Sequence, residues 1–408
     1  MARRSRRALV GVAATVLLTG CGGGASVVPR APFWPQRVAT PAAPRVVFRR
    51  AGAPGAPGSH RYEYVFPDRT LDVFQARPPF RLVERVRIPE LHSLRGVAVA
   101  VRTGTLYATV GGNGGSSGTG GLVAYDLLRN RVRWQRAFPS GVDSLAISPD
   151  GRTLFVPEGE RSMDDVWYVV DAATGRVRRE IRAAPGPHNT IVSPDGRFVY
   201  LGPRNSRYLV VASTATDRVV RRVGPLAPGV RPFTVDERRG LAYTTATGFL
   251  GFQVSSLRRG RLLYTVPIRG RPGRPFGAPS HGIALTPDGR RLAVIDIPNG
   301  RVHVFDVTAV PAAPPRRVAD IRLVPSMRGR ESPCGGDCGR AGWLQYSLDG
   351  RYLWVADDGD VIDARSDRIA AYLPALSDSR YLFELDWVGG RPVRTGGRSG
   401  IAPTAGSG

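Results

Sequence analysis

Five ionisable side chains occur at one position of a sequence repeat, five residues before a recurring turn. They are Arg95, Asp143, His188, Arg231 and His281, and the sixth copy holds Gly342. A ring of two guanidinium groups and two imidazoles favours an anionic group such as a carboxylate or a phosphate. Asp143 would orient a histidine or pair with an arginine. The alternative is that a histidine at this position only satisfies a loop carbonyl group.

The second group of candidate residues lies in the segment SPCGGDCGRAGW, which holds Cys334 and Cys338. Outside the cytoplasm, two close cysteines favour a small disulfide. The alternative is a Cu(I) site, since soft thiolates suit that ion, with Met327 as the nearest further ligand. The acidic segment 357–360, DDGD, lacks the spacing of a calcium loop and is predicted to be a hairpin turn. We therefore predict a disulfide, no metal site and no cofactor.

The first 21 residues predict export from the cytoplasm. Four arginines precede the uncharged residues 8–18, which are too few to span a bilayer as a helix. Residues 18–21, LTGC, resemble the bacterial lipobox, in which Cys21 carries the lipid. The alternative is a plain secretory signal. The arginine pair at 6–7 resembles part of a twin-arginine signal, so the general secretory and the twin-arginine export routes are both alternatives. We expect residues 1–20 to be a signal peptide and Cys21 to attach the protein to the cell membrane, in the extracytoplasmic cell envelope.

A repeated turn places the ring residues within a fold. Four copies read SPDG, SPDG, TPDG and SLDG, beginning at Ser148, Ser193, Thr286 and Ser347, and a degraded copy begins at Asp236. Proline second and glycine fourth suit a tight turn between strands. A third strand and a fourth, arginine-rich strand follow; alternation of arginine with apolar residues is typical of an edge strand facing water. Four strands in about 45 residues are typical of a propeller blade.

Seven such units are predicted, and the two chain ends complete one of them. Residues 62–88 lack an innermost strand, whereas Tyr381–Trp387 is a spare strand. Their pairing closes an all-β, seven-bladed β-propeller with four antiparallel strands per blade over residues 61–390. An open β-solenoid or two sandwiches would not explain these ends. Residues 21–60 are predicted to be a Pro/Gly-rich tether, and 391–408 a flexible glycine-rich tail.

The repeats resemble the YVTN-repeat β-propellers, relatives of the haem-d1 nitrite reductase and lactonase propellers, over roughly residues 61–390. SPDGRFVYLG and IPNGRVHVFDVT stand close to that pattern, although the YVTN tetrad itself is absent. The resemblance implies a fold more than a function, since the family includes enzymes and binding proteins. Lactonase relatives use channel His, Arg and Glu residues. His188 and Arg231 would fill the first two roles, but no glutamate falls on the ring position.

Composition narrows the classes of function. Of 408 residues, 42% are hydrophobic and 22% charged, which excludes wholesale disorder, and 50 glycines with 35 prolines exclude a mostly helical protein. All 58 cationic residues are arginine and the formal net charge is +25, which predicts attraction to polyanions. We expect a monomeric binding or scaffold module for an anionic small molecule or a protein partner. A lactonase-like hydrolase and a binder of nucleic acid or anionic envelope polymer are the alternatives.

Overall fold

The computed structural model describes residues 60–115, 118–271, 277–324, 327, 329–336 and 338–396. The predicted signal peptide, Cys21 and all but the last residue of the predicted tether lie outside these residues. Residues 397–408 of the predicted tail also lie outside them. Among the described residues, no helix is long and apolar enough to span a bilayer.

The described strands are numbered in chain order, and most blades are formed by four consecutive strands. The first described strands are β1 (His60–Val65), β2 (Thr70–Gln75) and β3 (Leu82–Arg87). Blade 1 holds β4 (Leu94–Ala100), β5 (Thr105–Gly111), β6 (Gly120–Asp126) and β7 (Arg131–Phe138). Blade 2 holds β8 (Ala146–Ile147), β9 (Thr153–Pro157), β10 (Val166–Asp171) and β11 (Val177–Arg182). Blade 3 holds β12 (Pro187–Val192), β13 (Phe198–Pro203), β14 (Leu209–Ser213) and β15 (Arg218–Val223).

The later blades repeat this arrangement. Blade 4 holds β16 (Val230–Asp236), β17 (Leu241–Ala246), β18 (Phe249–Ser256) and β19 (Arg261–Pro267). Blade 5 holds β20 (Ile283–Leu285), β21 (Arg291–Asp296), β22 (Arg301–Asp306) and β23 (Arg316–Arg322). Blade 6 holds β24 (Leu344–Tyr346), β25 (Tyr352–Val355), β26 (Asp360–Asp363) and β27 (Arg368–Tyr372). The last strands are β28 (Leu382–Val388) and β29 (Arg391–Thr395), and short 3₁₀ helices span Pro89–Leu91, Val101–Thr103, Gly112–Gly115, Ser332–Cys334 and Pro374–Leu376.

The recurring tetrapeptide forms its turn through a hydroxyl and a carboxylate. In blade 3, the Ser193 hydroxyl donates to Asp195 at 2.6 Å and accepts the amide of Phe198 at 2.9 Å. Gly196 closes the turn with φ of 72°, a conformation that glycine adopts at little cost. Thr286 makes the equivalent bonds in blade 5. The turn is therefore fixed locally, and it sets the register of the first two strands in blades 2, 3, 5 and 6.

The two chain ends meet in one sheet, as predicted. β28 pairs with β1 along six residues, from His60 opposite Trp387 to Val65 opposite Leu382. β2 and β3 continue outward from β1 and complete the sheet called blade 7 here. The rings of Tyr64 and Phe383 stack across the junction with their centroids 5.0 Å apart. The described residues therefore form a closed seven-bladed ring with no open edge at the junction.

The tail prediction needs correction. Arg391–Thr395 form β29, which pairs with the inner edge of β28, so the described part of blade 7 has five strands. Arg394 pairs with Asp386 on β28 at 3.1 Å, which helps to hold the hairpin. The propeller therefore extends past residue 390 to Thr395, and only later residues remain as the predicted tail.

Apolar side chains fill the space between neighbouring blades. Phe80 of blade 7 packs edge-on against Trp354 of blade 6 with ring centroids 5.5 Å apart. The Trp167 indole of blade 2 donates to Thr190 of blade 3 at 3.0 Å. On the outermost strands, side chains alternate between exposed and partly buried, as β7 shows. The inter-blade contacts hold the innermost strands at fixed distances around the channel.

Candidate functional site

The fold brings two kinds of segment to one rim of the channel. Each innermost strand starts at this rim, and its antiparallel neighbour returns to the same rim before the third strand begins. Arg95 lies on β4, His188 on β12 and Arg231 on β16. Asp143 precedes β8 and His281 precedes β20. The five sequence-predicted ring residues therefore lie at one rim, and each has at most 8% of its surface exposed.

The imidazole of His188 lies at the centre of this rim cluster. Its Nε2 atom is 4.0 Å from Asp143 Oδ1, and the rings of His188 and His281 have centroids 6.3 Å apart. The Asn189 amide nitrogen lies 2.7 Å from His188 Nδ1, which fixes the ring orientation. Asp143 is held in turn, because its backbone carbonyl accepts the Thr109 hydroxyl at 2.8 Å. The cluster is therefore preorganised by neighbouring strands.

The ring also contains a glutamate that the repeat position does not reveal. Glu160 lies in the loop between β9 and β10, and its Oε2 atom is 2.7 Å from Arg231 Nη1. The same oxygen is 3.0 Å from Arg204 Nη1 and 3.7 Å from His188 Nε2. Arg204 follows β13 directly, in the equivalent loop of blade 3. The repeat position marks only the starts of the innermost strands. Glu160 and Arg204 lie instead in loops between the second and third strands, which reach the same rim.

Burial and nearby charges shift the pKa values of the two rim carboxylates in opposite directions. Burial by itself raises the pKa of Glu160, but the charges of His188 and Arg231 outweigh it and hold that pKa well below its usual value. Burial and the charge of Glu160 raise the pKa of Asp143 to about 7. Near neutral pH, Glu160 is therefore ionised while Asp143 is partly protonated. A group with a pKa near neutrality can give or accept a proton, and its charge changes with a small change of pH.

The rings of His281, Trp343 and Tyr381 pack in a row and form an aromatic wall beside the charged ring. His281 packs edge-on against Trp343 with centroids 4.4 Å apart, and Trp343 packs against Tyr381 at 4.9 Å. The Arg380 guanidinium lies over the Tyr381 ring at 5.3 Å and pairs with the buried Glu331. This wall gives the rim an apolar side next to its charged side.

The cysteine loop reaches the same rim. The structure joins Cys334 and Cys338 in a disulfide, so neither sulfur is a thiolate available to copper in this form. Arg95 Nη1 donates to the Cys338 sulfur at 3.2 Å. Residues 357–359 lie in the turn between β25 and β26, and Asp360 begins β26. Asp357 accepts the amides of Ala341 and Gly342 at 2.7 and 3.2 Å. These contacts anchor the loop that carries Trp343.

Three rim side chains could also supply metal ligands. Asp143, Glu160 and His188 each offer one ligand atom within 4.8 Å of the others. However, Glu160 Oε2 already pairs with the guanidinium groups of Arg231 and Arg204. A divalent cation would have to compete with these two positive charges.

Comparison with known proteins supports the fold class. Neither a protein-family model nor a curated protein matches the chain. Among solved structures, hydrazine synthase from Kuenenia stuttgartiensis superposes with a TM-score of 0.53 and 16% identity, covering 74% of this chain and 95% of that one. A functionally unknown protein from Desulfotomaculum acetoxidans DSM 771 has a TM-score of 0.49 and 16% identity, with coverage of 64% and 81%. At this identity the first likeness concerns the fold alone: a seven-bladed β-propeller.

Proposed function

We propose that this propeller is a binding module that takes an anionic small molecule at the channel rim. The observation that carries this proposal is the excess of positive charge around one carboxylate. The guanidinium groups of Arg231, which is buried, and Arg204, which is partly buried, both pair with Glu160, while the second rim carboxylate, Asp143, has a pKa of about 7. A buried positive charge that is not fully balanced is costly, so an anion would lower the free energy of the site. The pairing of Glu160 with Arg231 and Arg204 shows that the rim geometry suits a carboxylate.

Replacing Arg231 is expected to weaken anion binding. Titrate the purified full-length protein and Arg231→Gln with acetate, citrate and inorganic phosphate by calorimetry. Loss of a charge-assisted hydrogen bond of about 1.5–3 kcal/mol predicts roughly 10- to 100-fold weaker binding. Arg218→Gln removes the same charge from the exposed start of β15 and should bind like the wild type. Equal binding by Arg231→Gln and the wild type would refute the proposal.

A lactonase-like hydrolase is the second candidate function, and one observation favours it. Glu160 lies 2.7 Å from Arg231 and 3.7 Å from His188, which assembles the His, Arg and Glu types that the sequence resemblance implies. Asp143, with a pKa of about 7, would accept a proton from an attacking water, and Arg231 would stabilise the oxyanion.

Hydrolysis should then depend on Asp143. Incubate the full-length protein with five- and six-membered lactones and follow acid release at constant pH. Removal of a general base is expected to lower kcat about 100-fold or more in Asp143→Asn. Asp165→Asn, at a half-buried position before β10 outside the rim, is the matched control. Acid release no faster than in buffer alone would exclude this function.

We also propose that a lipid on Cys21 attaches the propeller to the cell membrane, outside the cytoplasm. The support comes from the four arginines at positions 3, 4, 6 and 7, the short apolar segment and the LTGC sequence. Cys21→Ala should move the protein from the membrane fraction to the soluble fraction, because a thiol is needed to accept the lipid. Ser26→Ala is the control. Retention of Cys21→Ala in the membrane fraction would contradict this proposal.

A further inference from the structure

A cavity of about 410 Å³ lies among β4 of blade 1, β8 of blade 2, β12 of blade 3 and the strands β28 and β29 of blade 7. Its wall is mainly apolar and includes Val97, Leu145, Ile147, Val192 and Phe383. Val97 and Ile147 are only partly buried although their strands are innermost, so their remaining apolar surface faces the cavity. An apolar wall of this kind favours an apolar occupant over water.

The cavity opens at the rim opposite the charged ring. The ring residues stand where the innermost strands start, and none of them lines the cavity. The cavity reaches instead the turns that follow these strands, at Ser148 and Pro149 after β8 and at Ser193 and Pro194 after β12. It is therefore a second candidate site, separate from the anion site proposed above.

Exposed residues mark the opening of the cavity. Arg102, Pro149, Val393 and Arg394 all line it and are all exposed to solvent. Arg102 lies in the 3₁₀ helix Val101–Thr103 after β4, and β29, which carries Val393 and Arg394, contacts this helix. The cavity therefore meets solvent between β29 and the turns of blades 1 and 2.

The charged side chains at this opening are positive. Of the described residues in the cavity wall, Arg102 and Arg394 are the two charged ones, and none is acidic. Arg394 pairs with Asp386 at 3.1 Å, whereas Arg102 forms no ion pair within the described part of the chain. Asp150 of the adjacent turn accepts the Ser148 hydroxyl at 2.5 Å, which holds its carboxylate within that turn. A carboxylate bound at the opening would therefore meet a guanidinium group that has no ion-pair partner.

We propose that this cavity binds an aliphatic monocarboxylate, with the hydrocarbon chain against the apolar wall and the carboxylate at Arg102. The inference goes beyond the anion site proposed at the charged ring and does not depend on it. A polyhydroxylated anion fits less well, because its hydroxyl groups would lose water against an apolar wall. The cavity volume lies at the lower end of the range for small-molecule sites, which suits a single short chain.

The test is a calorimetric titration of the full-length protein at constant pH and ionic strength. The probes are acetate, hexanoate and octanoate, with 1-octanol and octylammonium as the uncharged and cationic molecules of equal chain length. Burial of each methylene is expected to strengthen binding about fourfold, until the cavity is filled. Octanoate should bind more tightly than 1-octanol, and octylammonium should bind least tightly of the three.

Substitutions at exposed positions test the two parts of the ligand separately. Arg102→Gln should weaken octanoate binding about two- to fivefold, the effect of one exposed ion pair, and leave 1-octanol binding unchanged. Arg261→Gln, at the exposed start of β19, should bind octanoate like the wild type. Val393→Trp should obstruct the opening and abolish the dependence on chain length. Val388→Trp, at a similarly exposed position of β28 outside the cavity wall, should leave that dependence unchanged.

Each contrary result overturns a stated part of the inference. If acetate and octanoate bind equally well, the cavity takes no aliphatic chain. If octylammonium binds as tightly as octanoate, or Arg102→Gln binds octanoate like the wild type, the carboxylate does not lie at the opening. If Arg231→Gln weakens octanoate binding and Val393→Trp does not, the ligand binds at the charged ring and the cavity site is refuted. Absence of binding by both hexanoate and octanoate refutes the inference outright.

Discussion

Truncation of the chain after Ser379 is expected to abolish cooperative folding, because it removes the strand that closes the ring. β28 supplies the inner partner of β1, and Leu382, Phe383 and Leu385 are each at most 5% exposed. Full burial of such a side chain stabilises the fold by about 1.5–3 kcal/mol. The free energy lost when these three side chains and the edge of β1 lose their partners is comparable with the 5–15 kcal/mol that typically stabilises a domain. Urea unfolding followed by circular dichroism measures the effect.

A shorter truncation at the same C-terminal end is the control. Truncation after Gly390 deletes β29 but leaves β28 and its six paired residues in place. This shorter deletion should retain a cooperative transition with a lower midpoint. If truncation after Ser379 unfolds with the same midpoint and slope as the full chain, pairing of the two ends does not stabilise the ring.

Raising the pH is expected to destabilise the ring through two buried glutamates at the closure. Glu63 on β1 lies directly opposite Glu384 on β28, and neither is exposed. Burial raises the pKa of Glu384 to about 7, and burial with the charge of Glu384 raises the pKa of Glu63. The folded state therefore holds its protons more tightly than the unfolded state, so stability falls as pH rises from the ordinary glutamate pKa of 4.5 to about 7. For Glu384 alone, the loss is about 3 kcal/mol.

Glu384→Gln isolates this contribution, because the amide stays neutral and its oxygen can still accept the Leu348 amide that Glu384 accepts at 2.5 Å. Free energies of unfolding should match the wild type near pH 4 and exceed it by about 3 kcal/mol near pH 8. Glu180→Gln, on the exposed face of β11, should follow the wild-type curve. Parallel curves for Glu384→Gln and the wild type would contradict the prediction, whatever the other buried acids contribute.

The features predicted well from the sequence depend on local chemistry. The turns at Ser193 and Thr286 are each built from a hydroxyl, an aspartate and a glycine within five residues, so their spacing predicts the blades. The same spacing gives the register of the innermost strands. For this reason the sequence alone places ring positions such as Asp143 and His188 at one rim, whereas Arg95 is placed by the likeness of its strand to the one that begins at Gly282.

The features that were missed depend on contacts between distant segments. Glu160 enters the ring from a loop whose length does not repeat, so periodicity gives no signal for it. Arg391–Thr395 is a short segment that contains Pro392 and follows Gly389 and Gly390, and it becomes a strand only because β28 offers it an unpaired edge. A mainly apolar cavity of about 410 Å³ lined by parts of β4, β8, β12 and β29 likewise arises from several blades together and has no motif of its own.

Closure by the two chain ends sets the order of events during synthesis. β1 is made early, but its partner β28 follows all six intervening blades. Until that last segment emerges, the inner edge of β1 has no partner and is open to pairing with other chains. A ribosome that stalls within blade 6 would therefore release a product with an exposed strand edge, prone to aggregation and degradation, although most of its blades are complete.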